Sequence, residues 1–250
     1  MDYYKILHKD EIHRDLHYTT GLNIDNIEFK PFGNCLSGGI YFSREDILAF
    51  LDYGPWIRKV TLPEDARVYE NPGKPRKWKA DRIILGEREE INLEVIKRLI
   101  DEGANPDITQ SYALRWAAEN GYTDIVKLLL PLSDPKACDS EALVLAARNG
   151  YLDIVKLLLP VSDPLTYDGE ALRWAAKYGY LKITKLLLPF SNSKANNSEA
   201  LVAAACNGHL EIVKLLIPVS EINKSIINYC RRYCENQEIL DLIISNKKEV

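Results

Sequence analysis

A six-residue phrase recurs in this chain at a spacing that never drifts. It reads Ala113-Leu114-Arg115-Trp116-Ala117-Ala118, Ala142-Leu143-Val144-Leu145-Ala146-Ala147, Ala171-Leu172-Arg173-Trp174-Ala175-Ala176 and Ala200-Leu201-Val202-Ala203-Ala204-Ala205, each copy beginning 29 residues after the last. A fixed period of this length is the mark of stacked units, none of which can bury its apolar face without a neighbour. The segment before the first copies does not repeat, so two parts are expected: residues 1–86 and an array over 87–250.

Each repeat carries the same order of signals. Ser111, Ser140, Gly169 and Ser198 stand just before the phrase, in a column of residues accepted as N-caps. Leu114, Ala117 and Ala118 fall at i, i+3 and i+4 on one narrow face, where alanines let neighbouring helices approach closely. Gly121, Gly150, Gly179 and Gly208 end that helix, where a left-handed residue reverses the chain. A second helix follows, Ile125–Leu130 and its counterparts, and is expected to stop at Pro131, Pro160, Pro189 and Pro218. The array then divides into an opening partial repeat over 90–107 and full repeats over about 109–137, 138–166, 167–195 and 196–222, with a capping repeat over 223–246. Leu93, Val95, Ile96, Leu99 and Ile100 give the opening repeat an apolar face that ends at Gly103. In the cap, Glu238–Ile244 echoes the second helix, and Asn246-Lys247-Lys248-Glu249 exposes charge. Glu87–Glu90 reads as an acidic hinge.

The pattern Ala-Leu-x-x-Ala-Ala-x-x-Gly-(Tyr/His)-x-x-Ile-Val-Lys-Leu-Leu is similar to the body of the ankyrin consensus over roughly residues 90–246. That resemblance implies an all-α solenoid of helix-turn-helix repeats with a protein-binding concave face. Two features depart from the family. Its period is about 33, and its Thr-Pro-Leu-His opening is replaced here by forms such as Ser140-Glu141-Ala142-Leu143. The shortfall falls in the loop after the second helix, so the projecting hairpin fingers are expected to shrink to turns such as Pro160–Pro164. In the family geometry the groove is lined from i, i+3 and i+7 of the first helix. Those columns, with their flanking arginines, give Arg115, Trp116, Asn120, Leu145, Asn149, Arg173, Trp174, Tyr178 and Asn207 as expected partner-binding residues. Trp, Tyr and Arg are the usual anchors of interfaces. The alternative is that both tryptophans fill space left by the missing fingers.

Residues 1–86 are expected to form a small α+β module. Strands are predicted at Tyr3–Leu7, Gly39–Ser43, Trp56–Leu62, Ala66–Tyr69 and Asp81–Leu85, and a helix at Arg44–Tyr53, with Ser43 and Asp46 as a capping box. Lys74–Lys79 is basic around Trp78, and reads as a solvated loop or as a phosphate contact. His17-Tyr18, Phe32-Gly33 and Gly38-Gly39-Ile40-Tyr41-Phe42-Ser43 resemble, in order, the NAD-holding segments of ADP-ribosyltransferases. The resemblance implies His17 on the ribose and Tyr41 on the nicotinamide, with Glu70 or Glu87 assisting transfer. The other reading is a glycine turn followed by a half-buried strand. His8, His13, His17 and Cys35 match no usual zinc spacing, and no metal is expected. As a whole the segment resembles the module that precedes ankyrin arrays in giant viruses of the mimivirus lineage.

Composition narrows the function classes. Thirty-two basic residues against 36 acidic ones leave a net charge of −4, which gives no general reason to bind nucleic acid or anionic lipid. No signal peptide or membrane span is read. Five scattered cysteines suggest reduced thiols in a cytosolic or nuclear setting, and a cytoplasmic location is expected. Cys230 and Cys234 share a helix face at i, i+4, read as a buried cap and not as a metal site. The leading expectation is therefore a monomeric adaptor that needs no cofactor and holds a host or viral protein. The alternative is an ADP-ribosyltransferase-like or NAD-binding enzyme in residues 1–86, aimed by the repeats.

Overall fold

The computed structural model describes residues 2–32, 37–190 and 194–246. It separates into two units: Met1–Trp116 with Lys127–Asp134, and Ala117–Val126 with Pro135–Val250. Residues up to Glu90 are mostly strands, and helical repeats follow from Leu93.

In the first unit, β1 (Tyr3–Leu7), β6 (Trp56–Thr61), β9 (Arg82–Glu90) and β4 (Gly21–Ile24) form an antiparallel sheet in the order β1-β6-β9-β4. A second sheet has the order β5-β8-β7, from β5 (Ile40–Phe42), β8 (Lys77–Ala80) and β7 (Val68–Asn71); β2 (Ile12–His13) and β3 (Leu16–His17) make a small ribbon. Side chains alternate across a strand, and the inward set packs Leu7, Ile40, Phe42, Val60, Trp78, Ile83 and Leu85 into one core with Tyr18. Arg58 breaks the alternation. It is buried on β6, and its guanidinium donates to both oxygens of Glu11 at 2.8 and 3.1 Å, to the Gly86 carbonyl at 2.7 Å and to Thr20 Oγ1 at 3.0 Å. These hydrogen bonds hold the Glu11 carboxyl below its usual range, against the opposing effect of burial.

Three expectations for this segment need correction. The predicted helix at Arg44–Tyr53 is a 3-10 segment, Ile47–Tyr53, interrupted at Phe50. Its capping box does not form, because Ser43 Oγ donates to the Arg76 carbonyl at 2.7 Å and Asp46 accepts from Arg76 N–H at 2.6 Å. Both caps are used to fix the approach to β8. The basic loop is partly strand: Trp78 and Lys79 are buried on β8, and Lys79 Nζ donates to the Phe32 carbonyl at 3.2 Å. Its aliphatic stem makes that burial feasible. The acidic hinge is also strand, since Trp56 pairs with Glu90 and Ile57 with Glu89. Glu89 then grips Arg98 with two bonds of 2.8 Å. This fixes α1 (Leu93–Asp101), whose N-cap Asn92 accepts from Val95 N–H at 3.1 Å. Tyr4 completes the attachment by donating to Glu102 at 2.8 Å.

α2 (Ile108–Glu119) and α3 (Thr123–Leu129) make the first full helix pair. The second unit continues with α4 (Ala137–Arg148), α5 (Leu152–Leu158), α6 (Thr166–Lys177), α7 (Leu181–Leu187), α8 (Lys194–Cys206), α9 (Leu210–Leu216), α10 (Lys224–Tyr233) and α11 (Gln237–Ser245). α4, α6, α8 and α10 pack in succession, as do α5, α7 and α9. Alanines make the close approach possible: Ala142, Ala146, Ala147, Ala171, Ala175, Ala176, Ala200, Ala204 and Ala205 are all buried. Among the described residues no strand follows Glu90, so turns stand where fingers would project. Pro131 and Pro218 lie inside 3-10 turns, Leu130–Leu132 and Ile217–Val219, that tighten the second helix before it ends. The charged end Lys247–Glu249 lies outside the described residues.

The serine column has a different role from the one expected. The first helices α2, α4 and α6 open with a left-handed turn, at Thr109–Ser111, Cys138–Ser140 and Tyr167–Gly169, with φ from 48° to 76°. Such residues cost roughly 1–2 kcal/mol each when they carry a Cβ. The serines are buried and bind the backbone 23 residues ahead. Ser111, Ser140 and Ser198 accept from the N–H groups of Asp134, Asp163 and Glu221 at 2.8, 2.8 and 2.9 Å. They close their three repeats and do not cap the helix they begin; Gly169, in the same column, has no hydroxyl to do so.

Candidate protein-interaction surface

The sequence columns place Trp174 on α6 with Tyr178 one turn later. The two rings stack at 5.6 Å between centroids, 9° from parallel. Trp174 is half-buried. Its indole N–H donates to Glu170 Oε1 at 2.9 Å, and the Arg148 guanidinium and Lys177 ammonium lie 5.1 and 4.7 Å from its ring. Tyr178 remains 43% exposed, so part of the aromatic pair is accessible to solvent. Arg173 reaches Glu170 and Glu199 at 3.3 and 3.4 Å, a loose arrangement that a competing carboxylate could replace. A wide groove of about 620 Å³ follows along α8 and α10, lined by Arg173, Lys177, Val202, Asn207, Ile226 and Tyr229 among others. A smaller hollow of about 220 Å³ takes in Leu145, Arg148 and Trp174.

The asparagine column has a structural use. Asn149 donates to the carbonyls of Leu145 at 3.0 Å and Glu119 at 3.2 Å, and Asn207 donates to Ala203 at 2.8 Å. These amides satisfy helix-end carbonyls that would otherwise lack partners. In the first unit, Arg115 donates to the carbonyls of Thr109 and Gln110, both at 3.3 Å, and sits 5.5 Å from the Tyr112 ring. It thereby braces a left-handed turn. Trp116 is half-buried and Asn120 exposed. Arg148, Lys177, Ile226 and Tyr229 were not found from the repeat columns. Arg148 and Lys177 are the last residues of α4 and α6, outside the repeat columns, and Tyr229 and Ile226 belong to the cap, where the period is lost.

The residues singled out in the N-terminal segment do not come together. Tyr41 on β5 lines a cavity of about 150 Å³, whereas His17 lies exposed on β3, paired with Ile12, and is not part of that lining. Glu87 is on β9 and accepts from Thr20 at 3.4 Å; Glu70 is on β7. His8 is bound to Asp10 at 2.8 Å. Among the described residues no three His, Cys, Asp or Glu side chains gather to hold a metal, and Cys35 lies outside them. Cys230 is buried and its thiol is pushed up to about 12 by that burial, while Cys234 Sγ contacts the Ala205 carbonyl at 3.2 Å.

Helix pairs of constant period, joined by left-handed glycines and in three repeats closed by a serine latch, define a helical-repeat solenoid. The profile described as ankyrin repeats matches in three overlapping copies, over residues 88–168, 143–228 and 172–250. The chain belongs to the ankyrin-repeat family, whose repeats are in general protein-interaction modules. It is similar to ankyrin repeat protein R229 of Acanthamoeba polyphaga mimivirus, at 41% identity over 123 residues, 46% of this chain and 40% of that protein. It is also similar to ankyrin repeat protein R868 of the same virus, at 32% over 134 residues, 51% of this chain and 66% of that one. A third mimivirus protein, the uncharacterized R869, matches at 34% over 133 residues, 51% of this chain and 96% of its own length. The match thus covers less than two thirds of R229 and of R868. No described helix is long and apolar enough to cross a membrane.

Proposed function

We propose that the chain is a non-enzymatic adaptor that holds a protein partner on the face formed by α6, α8 and α10. The observation that supports this reading is the Trp174–Tyr178 stack, in which Tyr178 is well exposed, flanked by Arg148 and by Lys177, which also lines the groove beside α8 and α10. An aromatic pair held rigidly by its own neighbours loses little conformational entropy on contact, and Tyr, Trp and Arg dominate interface energetics. In the first full repeat the same columns are Arg115, Trp116 and Asn120. Because the relatives are proteins of an amoebal virus, the partner is proposed to be a host or viral protein met by a monomer in the host cytoplasm.

The test is a comparison of variants in affinity capture from amoebal lysate with quantitative mass spectrometry. A partner enriched by the wild-type chain is expected to be lost with Trp174→Ala plus Tyr178→Ala and kept with Lys156→Ala, an exposed change on α5. A double variant that folds and retains every partner overturns the assignment of this face.

A further inference from the structure

The cavity beside Tyr41 has a charge arrangement that neither the repeats nor their partner would use. Its walls are largely apolar, with Leu7, Leu16, Phe42, Ile47 and Phe50 among them. Lys5 projects into it from the middle of β1, a position whose neighbours Tyr4 and Ile6 are buried. Its ammonium donates to the Tyr41 carbonyl at 2.9 Å and lies 4.8 Å from the Tyr18 ring. A lysine ammonium has three N–H donors. Among the described residues that carbonyl is the one acceptor found for Lys5, and no carboxylate lies within ion-pair distance of it. The Tyr41 ring is itself flanked by Lys77 and Lys79 at 5.2 and 5.4 Å. Arg14 adds a further cation to the lining.

Asp25 is the single carboxylate of the lining, and both of its oxygens are taken. Oδ1 accepts from Ile27 N–H at 2.9 Å and Oδ2 from Gly39 N–H at 2.7 Å. The cavity therefore combines the Lys5 ammonium with largely apolar walls, with donor capacity at Lys5 still to be met. We propose that it binds a small monocarboxylate whose apolar body is about the size of one benzene ring. An apolar cavity of roughly 150 Å³ accepts a molecule of that size. The two carboxylate oxygens match the two remaining Lys5 donors. A phosphate dianion is disfavoured, because desolvating a second charge against apolar walls costs more than the contacts return. Burial lowers the Lys5 ammonium to about 8, so at neutral pH the cation is still the main form.

The proposal is independent of the repeat surface and is tested on the full chain. Isothermal titration at pH 7 would compare benzoate, its neutral isostere benzamide and inorganic phosphate, on the wild type and on Lys5→Met, which keeps the length and apolar stem. Benzoate is expected to bind at least tenfold more tightly than benzamide and phosphate, and Lys5→Met to bring it down to the benzamide level. Equal binding of benzoate and benzamide, tighter binding of phosphate, or unchanged benzoate affinity in Lys5→Met would each overturn the proposal. Should Lys5→Met fail to fold by circular dichroism, the wild-type comparison of the three probes decides alone.

Discussion

Gly150→Ala separates two contributions that the repeat architecture normally combines. Gly150 has φ +82°, so any Cβ there carries the left-handed penalty of about 1–2 kcal/mol. It also faces an aromatic ring: a Cβ would lie 2.7 Å from both Cε1 and Cζ of Tyr180, closer than real Cβ contacts. That ring has little room to retreat, because it packs 6.3 Å from the ring of Tyr178. Forcing extra volume into a filled site costs about 1–3 kcal/mol, so Gly150→Ala is expected to lose about 2–5 kcal/mol in all. Gly208 supplies the control. Its φ is +77°, yet nothing lies within 4 Å of its would-be Cβ, so Gly208→Ala should lose only the backbone part, about 1–2 kcal/mol.

Urea unfolding followed by far-UV circular dichroism gives the comparison, with the slope checked for constancy so that midpoints report stability. A double-mutant cycle then isolates the ring. In a Tyr180→Ala background the cost of Gly150→Ala should fall to that of Gly208→Ala, a coupling of about 1–3 kcal/mol. Equal losses at Gly150 and Gly208, or a Gly150 penalty indifferent to Tyr180, would refute the idea that the aromatic after each glycine locks onto the preceding repeat.

Two further predictions test the serine latch and the buried ion pair. If Ser140 were an N-cap, Ser140→Asp would be neutral or better; because it is fully buried and accepts from Asp163 N–H, the change should instead lower the unfolding midpoint, with Ser140→Ala losing about 1 kcal/mol. In the first unit, Arg58→Met should cost about 3–5 kcal/mol by leaving Glu11 buried without its main partner, and Glu11→Leu added to it should recover most of the loss. The Glu11 carboxyl sits below its ordinary value, so the stability it contributes is complete above that value and disappears as pH falls through the lowered one. Acid titration of the unfolding midpoint should therefore be shallower below about pH 4 in Glu11→Gln than in the wild type; superimposable curves would exclude the linkage.

What could be read in the sequence was what depends on local rules. The period, the glycine reversals and the alanine faces follow from backbone geometry and side-chain size, and the strands Tyr3–Leu7 and Trp56–Thr61 follow from alternation. What could not be read depends on partners far along the chain. Lys79 gave β8 the look of a solvated loop, because nothing nearby in sequence announces the Phe29 and Tyr41 rings that lie 5.9 and 5.4 Å from its ammonium. Ser43 and Asp46 have the composition of a capping box but are claimed by Arg76, 30 or more residues later. The serine column is ambiguous in the same way, since an N-cap and a latch to the backbone 23 residues ahead use the same hydroxyl. Trp174 lies between these cases. Its placement on the repeat face was legible, but whether it anchors a partner or fills space was not. The indole is pinned by Glu170, Arg148 and Lys177, and Tyr178 stacks on it while staying exposed. A side chain that fills space in this way also fixes the orientation of the ring beside it, so the two readings of Trp174 are compatible and Tyr178 is the residue expected to meet a partner directly.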